Sequence, residues 1–162
     1  MIRPATIDDA NSVVAIYNYY IENTVVTFIE QAISAQNISD NISTAASDQL
    51  PYMVYELDGV VLGYAYASKW QGRCAYRYSV EVTVYLAVEA TGQGIGSALY
   101  QALFQELEKR SYHVALAGIA LPNDASIALH EKFGMRKVAH FEEVGFKFGQ
   151  WVDVGYWQKT FV

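Results

Sequence analysis

The chain has 162 residues, which is enough for one domain with a substantial core but leaves little room for a second. Its formal charge of −6 argues against a nucleic-acid partner, because such binding needs clustered Lys and Arg to neutralise phosphates. Its single cysteine, Cys74, rules out an intramolecular disulfide and a cysteine-based metal site. Without a membrane-length apolar run, or a secretory signal in Met1–Ala10, the sequence predicts one domain over 1–162, in the cytoplasm and away from membranes.

The first third of the chain predicts a strand and a helix. Met1–Ala5 is a short strand candidate, and Thr6–Asp9 has the spacing of a capping box. A helix should follow, because apolar residues between Val13 and Ile21 recur at helical spacing. Residues 30–50 are weakly patterned, so we expect only one loose helix within a surface loop there.

The middle of the chain predicts antiparallel strands. Tyr52–Leu57 and Val60–Trp70 are separated by Asp58-Gly59, a strong hairpin signal. A third strand, Ser79–Val88, has two distinct faces, because side chains alternate along a strand. One face is aliphatic, with Val80, Val82, Val84, Leu86 and Val88, and the other holds Ser79, Glu81, Thr83, Tyr85 and Ala87.

The remainder predicts two helices and three more strands. A glycine-rich turn at 92–96 precedes a helix that ends near Ser111. Val114–Ala120 is a short apolar strand, and a second helix runs from about Asp124 to Phe133. Two closing strands, Arg136–Val144 and Val152–Thr160, form a final pair joined by residues 147–151. The predicted fold is therefore α+β: one mixed, mostly antiparallel sheet with helices on both faces.

The glycine-rich turn is the most informative motif. Gly92, Gly94 and Gly96 let the backbone approach a ligand and aim N–H groups at a phosphate, with the dipole of the following helix behind them. A plain turn would show the same glycines, so context must decide. A Walker P-loop is disfavoured, because Ser97 and Ala98 stand where it has Lys and Ser/Thr. A dinucleotide fingerprint is also disfavoured, because Leu99 replaces its last glycine.

The segment Thr91-Gly92-Gln93-Gly94-Ile95-Gly96 resembles the acetyl-CoA signature of GNAT acetyltransferases, Arg/Gln-x-x-Gly-x-Gly/Ala. Thr91 departs from the usual Arg or Gln. The resemblance implies a GNAT fold and acetyl-CoA as co-substrate, with pantetheine on the backbone of Leu86, Ala87 and Val88. It further implies cofactor contacts from Gln93, Gly94, Ile95, Gly96, Ser97, Ala98, Asn123 and Ser126, although Asn123 also suits an ordinary helix N-cap.

Within that superfamily the chain most resembles the branch that acetylates phosphinothricin and methionine sulfoximine. The resemblance implies a small amino-acid-like amine as acceptor, and a homodimer. Val82 departs from the branch, which usually has His directly after the glutamate. The matching blocks are Ile2–Thr6, Ile16–Asn18, Asn23-Thr24 with Thr27-Phe28, Tyr76–Glu81, Ile127–Glu131 and Lys147–Val154.

An N-acetyltransferase needs a base, because an amine at neutral pH is mostly an ammonium ion and cannot attack a thioester. A carboxylate with a raised pKa can take that proton, and the resemblance assigns this role to Glu81. From spacing alone, a Glu81 carboxylate satisfied by hydrogen bonds, or by an ion pair with Arg73 or Arg77, is the simpler interpretation. The resemblance further implies that, after attack, the backbone N–H of Leu86 or Ala87 stabilises the oxyanion. His130, where many GNAT enzymes have Tyr, is a candidate proton donor to the thiolate, or a purely structural histidine.

The acceptor site is predicted from side chains that can bind a carboxylate or a sulfoximine-like group. The candidate residues are Phe28, Arg73, Arg77, Tyr78 and Lys147. Two other functions stay open: a protein or peptide N-acetyltransferase with an open groove, and a non-catalytic CoA-binding module.

Overall fold

The structure is a computed structural model that describes all 162 residues, Met1–Val162. Seven strands form one sheet in the order β1-β2-β3-β4-β5-β7-β6. Only β4 and β5 run parallel, so the predicted mixed, mostly antiparallel sheet is confirmed. The strands are β1 Ile2–Pro4, β2 Tyr52–Leu57, β3 Val60–Lys69, β4 Ser79–Leu86, β5 Val114–Ala120, β6 Arg136–Lys147 and β7 Gln150–Thr160; the helices are α1 Ala10–Asn23, α2 Ala35–Ser47, α3 Ile95–Lys109 and α4 Asp124–Lys132.

Helices α1 and α3 cover opposite faces of the sheet, as predicted. Tyr85 of β4 packs against Tyr17 and Tyr20 of α1, with ring centroids 5.1 Å apart in each pair. Leu86, the next residue, faces α3, because a Cβ added at Gly96 would lie 3.7 Å from its side chain. Adjacent strand residues point to opposite faces, so the two helices lie on either side of β4.

The start of the chain follows the predicted capping box. The Asp9 carboxylate accepts a hydrogen bond of 2.8 Å from the backbone N–H of Thr6, and the turn Ile7–Asp9 leads directly into α1. The buried Asp9 carboxylate is also paired with Arg3, which lowers the pKa of Asp9 and ties β1 to the helix start.

The helix expected within residues 30–50 is present, but it is a regular packed helix rather than a loose one within a surface loop. Helix α2 is thirteen residues long, and Ser34 caps it by accepting a hydrogen bond from the backbone N–H of Asn37. Ile38, Ile42 and Ala45 are buried. These residues have the i, i+4, i+7 spacing of one helix face, but the polar residues between them obscured the pattern.

Two hairpins belong to the sheet, β2–β3 and β6–β7. The β2–β3 turn at Asp58-Gly59 has positive φ at both residues, as a type I′ turn requires, and confirms the prediction. The β6–β7 strands are longer than predicted and meet at a two-residue turn, Phe148-Gly149, rather than over 147–151. Phe148 adopts a φ of 52°, which is uncommon for a residue with a Cβ, so the sequence did not indicate that the turn is only two residues long.

Strands β4 and β5 separate soon after they pair. Their register runs only from Ser79 opposite Val114 to Glu81 opposite Leu116. Beyond this point β4 continues along β3, while β5 follows β7. The sheet therefore opens into a cleft next to Glu81. No helix in the chain combines the length and the apolar character needed to cross a membrane.

Candidate active site

The cleft between β4 and β5 holds a cavity of about 680 Å³. Its walls come from α1, the loop after α1, β3, β4, the glycine turn, β5 and α4, and they mix apolar side chains with backbone groups. A cavity of this size and composition suits a small molecule. Among the predicted site residues, those that line it are Glu81, Leu86, Gly94, Gly96, Ser97, Asn123, Ser126 and His130.

The backbone of β4 offers free hydrogen-bonding groups to this cavity. The backbone N–H and C=O groups of odd-numbered β4 residues point toward β3. The Ala87 N–H donates to the Leu62 carbonyl, and the Ser79 carbonyl accepts from the N–H of Trp70, the residue after β3. Even-numbered residues therefore direct their N–H and C=O toward β5, and β5 has left by Val84 and Leu86. The Leu86 carbonyl accepts a hydrogen bond of 2.7 Å from Tyr20, which leaves the Leu86 N–H toward the cavity.

The three residues expected to hold pantetheine thus differ in what they can do. Leu86 lines the cavity. The Ala87 N–H is already bonded within the sheet at 2.9 Å, and Val88 begins a short 3-10 turn, Val88–Ala90. The free backbone of this strand end is that of Val84 and Leu86, which makes Leu86 the better placed oxyanion donor of the two proposed.

The glycine turn builds the start of α3 from backbone alone. Gly92 and Gly94 have φ of 75° and 80°, in the left-handed region that favours glycine. Gly94 is the N-cap residue of α3, and no side chain caps the helix. The first N–H groups of α3 are therefore available to an anion, with the positive end of the helix dipole behind them.

The other predicted residues of this motif support the turn. The Gln93 side chain donates to the Glu89 carbonyl at 2.8 Å, and Thr91 donates to the Val88 carbonyl at 2.8 Å. Ile95 is buried in the core. Only Gly94, Gly96 and Ser97 of the predicted run 93–98 line the cavity with Thr91 and Gly92, so the side chains of Gln93, Ile95 and Ala98 point elsewhere.

The Glu81 carboxylate lies in the cavity without a charged partner. Neither Arg73 nor Arg77 reaches it: Arg77 donates to the Cys74 carbonyl at 3.0 Å and stacks on Tyr78. No ion pair involves Glu81. Partial burial raises the pKa of Glu81, since burial disfavours the charged form. An unpaired carboxyl with a raised pKa beside a free strand end is suited to accept a proton.

His130 is part of a buried hydrogen-bond chain. Its Nδ1 lies 2.6 Å from the Ser126 carbonyl, which can only accept, so Nδ1 carries the proton. Its Nε2 lies 2.8 Å from the Tyr100 hydroxyl, which must then be the donor. Burial lowers the pKa of His130, partly offset by the bond to Ser126. His130 is therefore a neutral imidazole at neutral pH, fixed in one tautomer.

Asn123 caps α4 by accepting a hydrogen bond of 3.1 Å from the Ser126 backbone N–H. Its capping role does not remove it from the site, because both residues line the cavity.

The structure does not bring the five predicted acceptor residues to the cavity of the single chain. Arg73, Arg77 and Tyr78 are exposed in the loop between β3 and β4. Phe28 covers Gly145 of β6, where a Cβ would overlap its ring. Lys147 is almost fully buried, and its ammonium donates to the carbonyls of Ile21 and Thr27. None of these five side chains lines the cavity.

Several cavity residues were missed by the sequence analysis, among them Tyr100 and Lys132. Tyr100 is fully buried and bonded to His130, and Lys132 donates to the Ser97 hydroxyl at 3.0 Å beside the glycine turn. The signal for Lys132 was present, because Ala125, Ala128, Leu129 and Lys132 have the spacing of one helix face and all line the cavity. The pairing of Tyr100 with a residue on another helix left no local signal.

Residues 2–155 match the family model described as "Acetyltransferase (GNAT) domain". The chain belongs to the GNAT acetyltransferase family. It is 40% identical to a phosphinothricin N-acetyltransferase of Streptomyces viridochromogenes, over 99% of this chain and 87% of the relative. It is 34% identical to an L-methionine sulfoximine/L-methionine sulfone acetyltransferase of Salmonella typhimurium, over 97% of this chain and 92% of the relative.

Solved structures show the same architecture. A GNAT superfamily phosphinothricin acetyltransferase from Sinorhizobium meliloti, in complex with acetyl-CoA, has a TM-score of 0.95 and 35% identity, covering 99% of this chain and 87% of that one. A ribosomal-protein-alanine N-acetyltransferase from Brucella melitensis has a TM-score of 0.96 and 37% identity, covering 99% of both chains. The chain is thus an N-acetyltransferase of the GNAT fold, and its acetyl donor is acetyl-CoA. The uncapped start of α3 fits the pyrophosphate of that donor.

Proposed function

We propose that this acetyltransferase transfers the acetyl group of acetyl-CoA to the amino group of a small amino-acid-like compound, of the phosphinothricin or methionine sulfoximine and sulfone type. The observation that carries the chemistry is the unpaired Glu81 carboxylate in the β4–β5 cavity, next to a free strand end and an uncapped helix start. The names of the curated relatives support the acceptor class.

The proposed reaction needs three groups of this chain. Glu81 takes a proton from the acceptor ammonium, directly or through a water molecule. The neutral amine attacks the thioester carbonyl, and a free N–H at the end of β4 stabilises the developing oxyanion; the N–H of Val84 lies nearer to Glu81 along the strand than that of Leu86. The C–S bond then breaks as the attacking nitrogen loses its second proton, and that proton passes to the departing thiolate, with the Tyr100 hydroxyl of the Tyr100–His130 pair in the cavity wall as the proposed relay.

The acceptor is tested by following thiol release from acetyl-CoA with free amino acids, methionine sulfone, methionine sulfoximine, phosphinothricin and short basic peptides. Turnover confined to the sulfone, sulfoximine and phosphinic compounds is the expected result. Turnover with peptides alone would support a protein or peptide N-acetyltransferase, which the name of the Brucella neighbour favours. Binding of acetyl-CoA with no turnover of any acceptor would favour the non-catalytic module.

Two further proposals concern the whole chain, its location and its assembly. A cytoplasmic location stays a prediction, to be checked by cell fractionation. For assembly, we propose a homodimer through the β6–β7 hairpin, which exposes several large apolar side chains, two of which, Phe146 and Trp151, have ring centroids 4.7 Å apart. These are Phe141, Val144, Phe146, Phe148 and Trp151, each between 49% and 64% exposed.

Exposed apolar patches of this kind mark interaction surfaces. Light scattering after size-exclusion chromatography should give twice the chain mass, and Trp151→Ser with Phe146→Ser should shift it to the monomer. A monomeric wild type at micromolar concentration would contradict the proposed assembly.

A further inference from the structure

The loop between α1 and α2, residues 24–34, forms one wall of the cavity, and we call it the acceptor loop. Val26 and Thr27 line the cavity opposite the glycine turn. Helix α1 holds the loop near both ends: Tyr17 and Thr27 share a hydroxyl hydrogen bond of 2.8 Å, and the Asn18 amide makes two bonds of 2.9 Å to the backbone of Ile33. These hydrogen bonds to α1 hold this wall of the cavity in a fixed position.

A further contact that holds the acceptor loop comes from the C-terminal part of the chain. The Lys147 ammonium, at the end of β6, donates to the Ile21 carbonyl at 2.7 Å and to the Thr27 carbonyl at 2.8 Å, across 126 and 120 residues. The Ile21 carbonyl belongs to the last turn of α1, where helix carbonyls lack a helical partner and a cation is favoured. Lys147 therefore joins the end of α1, the acceptor loop and the β6–β7 hairpin.

This lysine is an unusual residue for its surroundings. Its relative exposure is 1%, and no carboxylate forms an ion pair with it. Burial lowers the pKa of Lys147, while Glu30 at the middle of the loop acts in the opposite direction. A buried ammonium is costly unless its donors are used. Here two of its three donors go to backbone carbonyls that set the position of the loop.

The neighbouring contact has the same effect. Phe28 of the acceptor loop lies directly on Gly145 of β6, and only a residue without a side chain leaves room for its ring. Lys147 and Gly145 are two residues apart and face the same side of the strand. The end of β6 therefore holds the acceptor loop in two ways, through the hydrogen bond of the Lys147 ammonium and through the packing of Phe28 on Gly145.

We infer that Lys147 is a positioning residue for the acceptor: it holds the acceptor loop in place and does not contact the acceptor itself. This inference rests on the proposed function, because the acceptor site is the one defined there. It gives Lys147 an indirect role in place of direct carboxylate binding.

The kinetic test compares Lys147→Met, which keeps the length of the side chain without its donors, with Lys69→Met, an exposed lysine paired with Asp48 far along β3. Lys147→Met should raise the KM for the acceptor about tenfold, the size expected from losing charged hydrogen bonds. The KM for acetyl-CoA should change less than about twofold, within the scatter of remote substitutions. Lys69→Met should leave both values unchanged.

Direct contact is separated from positioning by the acceptor itself. Each KM is measured for methionine sulfone and for its methyl ester. A positioning role predicts the same fold-change for both compounds. If the effect of Lys147→Met disappears with the ester, the lysine binds the carboxylate and the inference is overturned.

A readout that needs no activity is amide hydrogen exchange of the unliganded protein. Residues 24–34 should exchange about tenfold faster in Lys147→Met, while α3 keeps its protection. Unchanged exchange in the loop would overturn the inference even if every acceptor failed and the proposed function fell with it. Should Lys147→Met not fold, Asn18→Ala releases the other end of the loop and should give the same acceptor-specific rise in KM.

Discussion

The two halves of the cavity are formed by different kinds of group, one by backbone and the other by side chains. The donor half, residues 84–97, uses backbone N–H groups at the end of β4 and the start of α3, and its residues are adjacent in sequence. The acceptor half uses side chains from α1, the acceptor loop, β3 and β4, which are far apart in sequence. A site made of backbone depends on φ and ψ, whereas a site made of side chains depends on packing over long range.

The largest expected effect lies in the acceptor half. Glu81→Gln should lower kcat by on the order of a thousandfold, because it removes the proposed base without changing side-chain size. The dissociation constant of acetyl-CoA, measured by calorimetry, should stay the same, since the donor half is untouched. Glu22→Gln, on the exposed end of α1, is the matched control. A kcat within twofold of wild type would remove Glu81 as the base.

The pH dependence sharpens the same assignment. Glu81 must be ionised to act, and its pKa is raised above the ordinary value of 4.5. The rate constant kcat/KM should therefore rise with pH through that raised pKa and lose this acidic limb in Glu81→Gln. An unchanged acidic limb in the variant would assign it to another group.

The next largest effect tests whether the donor half depends on backbone conformation. Gly94→Ala introduces a Cβ at a φ of 80°, where the left-handed conformation costs about 1–2 kcal/mol for a residue other than glycine. No atom lies within 4 Å of that Cβ, so conformational strain is the only cause. We expect the KM for acetyl-CoA to rise about tenfold, the equivalent of that strain.

Gly59→Ala is the control for Gly94→Ala. Gly59 has the same φ of 80° and the same open space, but it lies in the β2–β3 hairpin. Both variants should lose similar free energy of unfolding in urea, and only Gly94→Ala should weaken acetyl-CoA binding. Equal KM values in the two variants would contradict a backbone-built donor site.

A smaller effect is expected for the one cation beside the glycine turn. Lys132→Met keeps the aliphatic stem and removes the ammonium next to Ser97. Because the residue is exposed, we expect the KM for acetyl-CoA to rise only about two- to fivefold, and the difference to shrink at high salt. Loss of more than about tenfold would mean that the donor half relies on side-chain charge after all.

The smallest effect concerns stability. A raised pKa means that the folded protein holds the Glu81 proton more tightly than the unfolded chain, so stability declines as pH rises from the unfolded pKa through the folded one. Glu81→Gln should therefore be more stable than wild type at pH 7, by urea unfolding, with the difference vanishing below the ordinary carboxyl pKa. A variant less stable at pH 7 would show that the carboxylate is held by favourable contacts.

The two halves also differed in how well the sequence predicted them. In the donor half, the turn from Gly92 to Gly96 follows from a local pattern, because glycine spacing needs no partner. In the acceptor half, only the place of Glu81 on its strand follows in this way, from strand alternation. Asp58-Gly59 was likewise predicted from a local pattern. The turn between β6 and β7 was predicted within residues 147–151, but its two-residue form was not, since an aromatic residue at positive φ depends on the strands around it.

The rest of the acceptor half could not be derived in this way. Lys147 bonds to Ile21, 126 residues earlier in the chain, and Phe28 packs on Gly145, which also lies far from it in the sequence. Tyr100 meets His130 on a different helix. Sequence identifies such residues as candidates for chemistry, but only the packing of the sheet and helices decides whether a given side chain faces a cavity or fixes a loop.

Strand β4 also fixes the distance between the proposed base and the donor site. Glu81 and Leu86 are five residues apart on one extended strand, or about 17 Å at the usual rise, and the pairing with β3 fixes that interval. The acceptor loop lies outside this segment, so its length and sequence can vary while the spacing from base to donor site remains constant. A single residue inserted between Glu81 and Leu86, by contrast, would move every later side chain to the opposite face of the sheet. New acceptor preferences are therefore accessible through the loop, whereas the interior of β4 is closed to insertion.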